Sequence, residues 1–185
     1  MALARLAAKG LPQVHLSVRD SVGSVEDRYR ALHVAIYRLR PDVGAIITGH
    51  FPWACRLAAL GGGMPAMFDE QVRHLGPRVD DLYLDRGELT SSSAKRLRRG
   101  GNAFLLGADA VCFGFDIHRA VLNAELFEKS VQAYVLARLS GVPIRTIPFY
   151  VRYIAAKRLR DERHGAASDS RHTPCETNPN PTTRH

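Results

Sequence analysis

This sequence contains few of the short motifs that mark catalytic or metal sites. The three cysteines, Cys55, Cys112 and Cys175, are far apart and form no Cys-x-x-Cys pair, which argues against a disulfide framework or a cysteine zinc site. Glycines 61–63 lack the Lys-Ser/Thr of a phosphate-binding loop, and no Gly-x-Ser-x-Gly nucleophile motif occurs. The sequence therefore excludes these common types of site.

Composition and charge favour a soluble domain with small-molecule chemistry. The 185 residues are 45% apolar and carry a net charge of +8, which suits phosphorylated or carboxylated substrates as well as nucleic acid. The densest basic cluster has no interleaved aromatic residues and no nucleic-acid motif, so we interpret it as the solvated end of a helix: Lys95, Arg96, Arg98 and Arg99. No apolar run is long enough to cross a bilayer and no signal peptide is apparent, so we expect a cytoplasmic location and no membrane or nucleic-acid partner.

The elements that must position a site alternate between helical and strand patterns. Apolar spacing predicts helices over 26–40, 52–60, 88–99 and 148–160, and a long helix from the N-cap Asp116 to the break at 141–143. β-prone runs predict strands over 43–48 and 80–84 and a hairpin over 102–106 and 110–115. We expect one α/β domain over 1–160 with a mixed sheet, followed by a disordered tail over 161–185, where Ser, Thr, Asn and Pro dominate.

Three stretches carry a resemblance to a known family. Residues 32–47 contain the run Tyr-x-x-Arg-Pro-Asp-Val and lead into Thr48-Gly49-His50-Phe51-Pro52. Residues 104–114 form a hairpin-like run, and the long helix contains Ala124, Glu125, Leu126, Glu128 and Tyr134. Over roughly residues 15–160 the chain resembles the class II aldolase/adducin family. The resemblance implies a three-layer domain with a central, mostly antiparallel sheet flanked by helices, and a homo-oligomer.

The resemblance also implies a metal centre. Class II aldolases hold a divalent metal, usually Zn²⁺, through two histidines of a His-x-His run and one from the hairpin, and a Glu acts as acid/base. In this sequence the corresponding ligand positions hold Thr48, His50 and Asp109, with a one-residue gap placed in the hairpin, and the Glu position holds Tyr29. Two of three histidines are therefore replaced.

Several alternatives follow from these replacements. His50, Asp109 and Thr48 would form the metal site if a divalent metal such as Zn²⁺ is bound, and the alternative is that the chain binds none. Glu26, almost one helical turn before Tyr29, is an alternative acid/base to the Tyr29 phenol. Arg19 and Ser24 are predicted substrate contacts.

Two functional hypotheses therefore stand. One is a metal-dependent lyase or isomerase that acts on a small hydroxylated, sugar-phosphate-like substrate. The other is a non-catalytic adducin-like binding or assembly module that kept the fold and lost the metal site. An enzyme with altered chemistry on the same scaffold is a third option, because fold alone does not decide function.

Overall fold

The computed structural model describes residues 14–19, 27–141 and 143–169. Its helices are α1 (Asp27–Leu39), α2 (Pro52–Ala59), α3 (Asp69–His74), α4 (Ser91–Arg99), α5 (Ile117–Leu139) and α6 (Phe149–Asp169). Its strands are β1 (Val14–Val18), β2 (Ala45–His50), β3 (Asp80–Asp81), β4 (Leu84–Asp85), β5 (Glu88–Leu89), β6 (Ala103–Leu106) and β7 (Asp109–Gly114).

The main sheet has the strand order β1-β2-β7-β6-β3. The first three pairings are antiparallel, and the short β3 pairs in parallel with β6. Strands β4 and β5 form a separate antiparallel hairpin. The predicted central, mostly antiparallel sheet with flanking helices is confirmed.

Alternation along the strands divides the core into two layers. Ile46 of β2 and Phe113 of β7 pack against Leu32 and Ile36 on α1. On the opposite face, Ile47 and its neighbours pack against α2 and α5 in a larger apolar cluster. Because successive strand side chains point to opposite faces, the residues of β2 at positions 46, 48 and 50 all face α1.

Local signals explain the helix boundaries. Helix α5 starts after Asp116, whose carboxylate accepts a hydrogen bond from the Arg119 amide at 2.7 Å, which confirms the predicted N-cap. Helix α4 starts later than predicted, because Thr90 caps it and residues 88–89 belong to the β4–β5 hairpin instead. Arg86 and Gly87, both with positive φ, make the tight turn of that hairpin.

The C-terminal helix departs from the predicted boundary of the domain. Helix α6 continues to Asp169 and so includes the first residues of the segment that we expected to be disordered. Two side chains beyond the predicted end anchor it: Glu162 forms an ion pair with Arg119, and Arg163 forms one with Asp42 at 3.0 Å. These tertiary contacts stabilise the helix where apolar periodicity stops. The predicted disorder of residues 170–185 lies outside the described residues.

Candidate functional site

The candidate site lies where β2 ends and β7 begins. His50, the last residue of β2, is the register partner of Asp109, the first residue of β7. Both side chains belong to the face of the sheet that α1 covers. The Nδ1 atom of His50 lies 4.0 Å from Oδ1 of Asp109, and the two side chains are 44% and 21% exposed. Antiparallel pairing therefore brings an imidazole and a carboxylate together at a solvent-accessible edge.

Helix α1 adds a phenol to this pair. The Tyr29 side chain is buried, and its hydroxyl donates a hydrogen bond to Oδ2 of Asp109 at 2.6 Å. A short hydrogen bond to a carboxylate is among the stronger kinds in proteins. Tyr29 therefore holds the Asp109 carboxylate in position, and one of its two oxygens is already occupied.

One turn further along α1, His33 belongs to a buried polar chain. Its Nδ1 lies 2.7 Å from the Ser17 hydroxyl and its Nε2 lies 2.8 Å from the Thr48 hydroxyl. Burial, together with the smaller effect of the nearby His15 charge, lowers the pKa of His33 to about 4. A neutral imidazole has one N–H and one acceptor nitrogen, so both nitrogens are satisfied by hydroxyls. Thr48 is thus bonded to His33 in the protein interior.

The donors present do not fit the metal centre that the resemblance implies. A catalytic zinc site needs three protein ligands with one position left open. Within residues 14–19, 27–141 and 143–169, no group of three His, Cys, Asp or Glu side chains is arranged to hold a metal ion. Of the predicted ligands, only His50 and Asp109 lie side by side, because the Thr48 hydroxyl is committed to His33.

Arg19, the predicted substrate contact, is engaged elsewhere. Its guanidinium donates hydrogen bonds to backbone carbonyls around the end of α1, those of Tyr37 (3.0 Å), Arg40 (2.9 Å), Pro41 (3.2 Å) and Val43. It also lies over the Tyr37 ring, 5.0 Å from the centroid. Arg19 follows the end of β1 that is remote from His50, so it braces the fold and does not join the site. The predicted roles of Ser24 and Glu26 lie outside the described residues.

Sequence reasoning missed His15 as a neighbour of the site. In the β1–β2 register His15 lies opposite Thr48, and its ring centroid is 5.5 Å from that of Tyr29. The run Val14-His15-Leu16-Ser17-Val18 alternates apolar and polar residues, which is the strand signal that could have identified it. Together the cluster offers a phenol, a carboxylate and two imidazoles. These groups can hydrogen-bond a hydroxylated compound and exchange protons with it.

None of the helices in the described part of the chain combines the length and apolar character that crossing a bilayer requires. The expected cytoplasmic location stays a prediction of the sequence.

Comparison with solved structures gives three informative matches. An L-fuculose 1-phosphate aldolase is 24% identical with a TM-score of 0.61, and the match covers 74% of this chain and 65% of that one. YgbL from Escherichia coli, a putative aldolase/epimerase/decarboxylase, is 22% identical with a TM-score of 0.57, covering 70% and 65%. The L-fuculose-1-phosphate aldolase of Thermus thermophilus is 19% identical with a TM-score of 0.58, covering 78% and 94%.

These likenesses establish the fold. This chain spans 65% of the length of the first two of these structures, slightly less than two thirds. No curated protein matches the chain. The family model described as the class II aldolase and adducin N-terminal domain matches residues 1–135, well over half of the chain. The chain therefore belongs to the class II aldolase and adducin family.

Proposed function

We propose that this class II aldolase-like chain has lost the metal chemistry of its family and serves as a non-catalytic binding or assembly module. One observation carries the proposal. The side chain at the first ligand position, Thr48, is fully buried and its hydroxyl is bonded to the neutral His33. A metal ion at His50 and Asp109 would lack a third protein ligand from this set.

The nature of the ligand follows from the same cluster. His50 and Asp109 present a donor and an acceptor to solvent, which suits a small hydroxylated, sugar-like compound. Two structural neighbours are L-fuculose 1-phosphate aldolases, which supports a ligand of that class. A homo-oligomer and a cytoplasmic location complete the proposal, and sedimentation of the purified chain tests the first of these.

The direct test is metal content per chain, measured by elemental analysis after incubation with Zn²⁺ and dialysis. The wild type, His50→Ala and His118→Ala are compared, the last being a matched change at an exposed histidine away from the site. We expect far less than one metal ion per chain in all three. Nearly one zinc per chain in the wild type and in His118→Ala, lost in His50→Ala, would overturn the proposal and restore the metal-dependent lyase or isomerase.

A second candidate is an enzyme with altered, metal-independent acid–base chemistry. The hydrogen bond from Tyr29 to Asp109 favours it, because a carboxylate fixed by a buried phenol beside an imidazole can accept a proton. In this hypothesis the Asp109 carboxylate takes a proton from the carbon next to a substrate carbonyl, which leaves an enolate, and the protonated Asp109 then returns the proton to carbon.

Proton exchange distinguishes the two candidates. The protein is incubated in D₂O with dihydroxyacetone or its phosphate, and NMR follows deuterium at the carbon next to the carbonyl. If the chain is a non-catalytic module, deuterium should enter that carbon at the uncatalysed rate. A faster rate that falls in Asp109→Asn but not in Asp116→Asn, at an exposed carboxylate that caps α5, would instead establish the enzyme.

A further inference from the structure

We propose a second ligand site, for a small soluble phosphate ester, in a pocket between the edge strand β3 and the C-terminal end of α4. The pocket has a volume of about 460 Å³. Three arginines line it, Arg78, Arg96 and Arg99, together with a single carboxylate, that of Asp80. Small-molecule sites typically enclose roughly 300–1,000 Å³, so the space suits a compact ligand.

The charges in this pocket are not balanced. Arg78 donates a hydrogen bond to Asp80 at 2.5 Å, which pairs one guanidinium with the one carboxylate. Arg96 is fixed in place by a hydrogen bond to the Asp81 carbonyl at 2.7 Å, and the Asp81 carboxylate also attracts it. Arg99 is exposed and makes no hydrogen bond or ion pair with any residue that the structure describes. Asp80 and the neighbouring Asp81 carboxylate, which attracts Arg96 and Arg78, together offset two of the three arginine charges, so the charge of Arg99 is left without a counter-ion among the described residues.

Helix electrostatics alone do not account for the cluster. Basic residues in the last turn of a helix complement its dipole, which explains Arg96, Arg98 and Arg99 as a group. Arg78, however, comes from the segment before β3, a separate element, and it faces the same pocket as Arg96 and Arg99. Arg98, on the same turn, does not line the pocket.

The chemistry of the lining favours phosphate. Planar guanidinium groups match phosphate oxygens with paired hydrogen bonds, and several of them can share one dianion. Phe104 and Pro77 add an apolar wall beside the charges. A phosphate ester with a small apolar or ring-shaped group would contact both.

This pocket is separate from the Tyr29–His50–Asp109 cluster. Strand β3 lies at the opposite edge of the sheet from β1, with β6 and β7 between it and β2. The inference therefore does not depend on the proposed function, and either can fail alone.

The test is isothermal titration calorimetry of the full chain with inorganic phosphate and with phenyl phosphate at fixed ionic strength. We compare the wild type with Arg99→Gln and with Arg98→Gln, a matched control one residue away on the same helix and outside the pocket. We expect saturable binding of both probes, tighter for phenyl phosphate. Arg99→Gln should weaken it about tenfold, as loss of a charged hydrogen bond does, while Arg98→Gln binds like the wild type.

Three results would overturn the inference. The first is no saturable binding by the wild type. The second is equal weakening in Arg98→Gln and Arg99→Gln, which would mean a diffuse basic surface. The third is preferential binding of a single-stranded RNA, which would mean a nucleic-acid surface. Both arginines are exposed, and thermal unfolding of each variant verifies that it folds.

Discussion

A cluster of polar side chains lies at each end of helix α1, and the two clusters differ in burial and in hydrogen-bond partners. At the C-terminal end, Arg40 is 1% exposed and donates to Asp42 through Nε and Nη2, at 2.8 and 2.7 Å. Asn102 and the Gly101 carbonyl take two of its other hydrogen bonds. At the N-terminal end, Tyr29 and His50 surround an Asp109 carboxylate that is still partly open to solvent.

The difference shows which part of the family pattern the fold requires. A buried charge is tolerated only with its partners, so the Arg-Pro-Asp run is constrained by the energetics of burial. At the other end, His50 and Asp109 are partly exposed, so water can pair with groups that a substitution leaves without a partner. Thr48 and Asp109, which the resemblance places at metal-ligand positions, belong to this second end.

The largest expected effect comes from breaking the buried corner. Arg40→Ala leaves Asp42 with Arg163 alone and several acceptors unpaired, so we expect a loss of about 3–5 kcal/mol in the free energy of unfolding. Arg38→Ala, at an exposed position on the same helix, should cost less than about 0.5 kcal/mol. Urea unfolding of both variants measures the two free energies. Equal losses of stability would contradict the stronger constraint on the Arg40 end of α1.

The same corner has a predictable response to acid. Burial alone would raise the pKa of Asp42, but hydrogen bonds and charges from Arg40 and Arg163 outweigh it and hold that pKa at about 2. Its folded pKa is below its unfolded value, so its contribution is complete above about pH 4 and is lost as pH falls toward 2. Stability loss in this pH range should therefore be smaller in the Arg40→Ala variant.

An intermediate effect is expected at His33, in a different range of pH. Its pKa of about 4 lies below the usual 6.5, so the unfolded chain binds the proton more readily than the folded one. Stability therefore falls as pH drops from about 6.5 to 4, by roughly 3 kcal/mol at most. His33→Gln should remove most of this slope, leaving the part from His74, whose pKa is lowered by burial and then by Arg119 and Arg73. An unchanged slope in unfolding measurements between pH 4 and 7 would contradict this assignment.

The smallest effect is expected at the candidate site itself. Tyr29→Phe keeps the buried ring and removes the hydrogen bond to Asp109, which water can replace in part because that carboxylate is 21% exposed. We expect a cost of about 1 kcal/mol, and less than about 0.3 kcal/mol for Tyr150→Phe at an exposed position. A cost near that of Arg40→Ala would mean that the two ends of α1 are equally constrained.

Sequence patterns were sufficient for the long, periodic elements. Helix α1, the β6–β7 hairpin and the Asp116 cap of α5 were predicted to within a few residues, because each has a strong apolar period or a capping residue. Helix α3 was not predicted, because its six residues give too few apolar positions for a period. Strand β1, and with it His15, was missed although its five residues alternate apolar and polar side chains.

The candidate site could be predicted only in part. Resemblance placed Asp109 at the third ligand position, and the β2–β7 register puts it opposite His50. The partner of Thr48 could not be inferred, because it depends on how α1 lies across the sheet. The roles expected of Ser24 and Glu26 stay predictions.

The topology of the sheet also orders events in folding. The hairpin of β6 and β7 closes locally, whereas Tyr29 and Asp109 are 80 residues apart in sequence. Closing that long loop costs conformational entropy before the pairing of β2 with β7 offsets the cost. We therefore expect this step to be slower than hairpin closure. Until β2 and β7 pair, the apolar face of α1 has no complete sheet to pack against. The hydrogen bond between phenol and carboxylate thus depends on this long-range pairing and forms after the local hairpin.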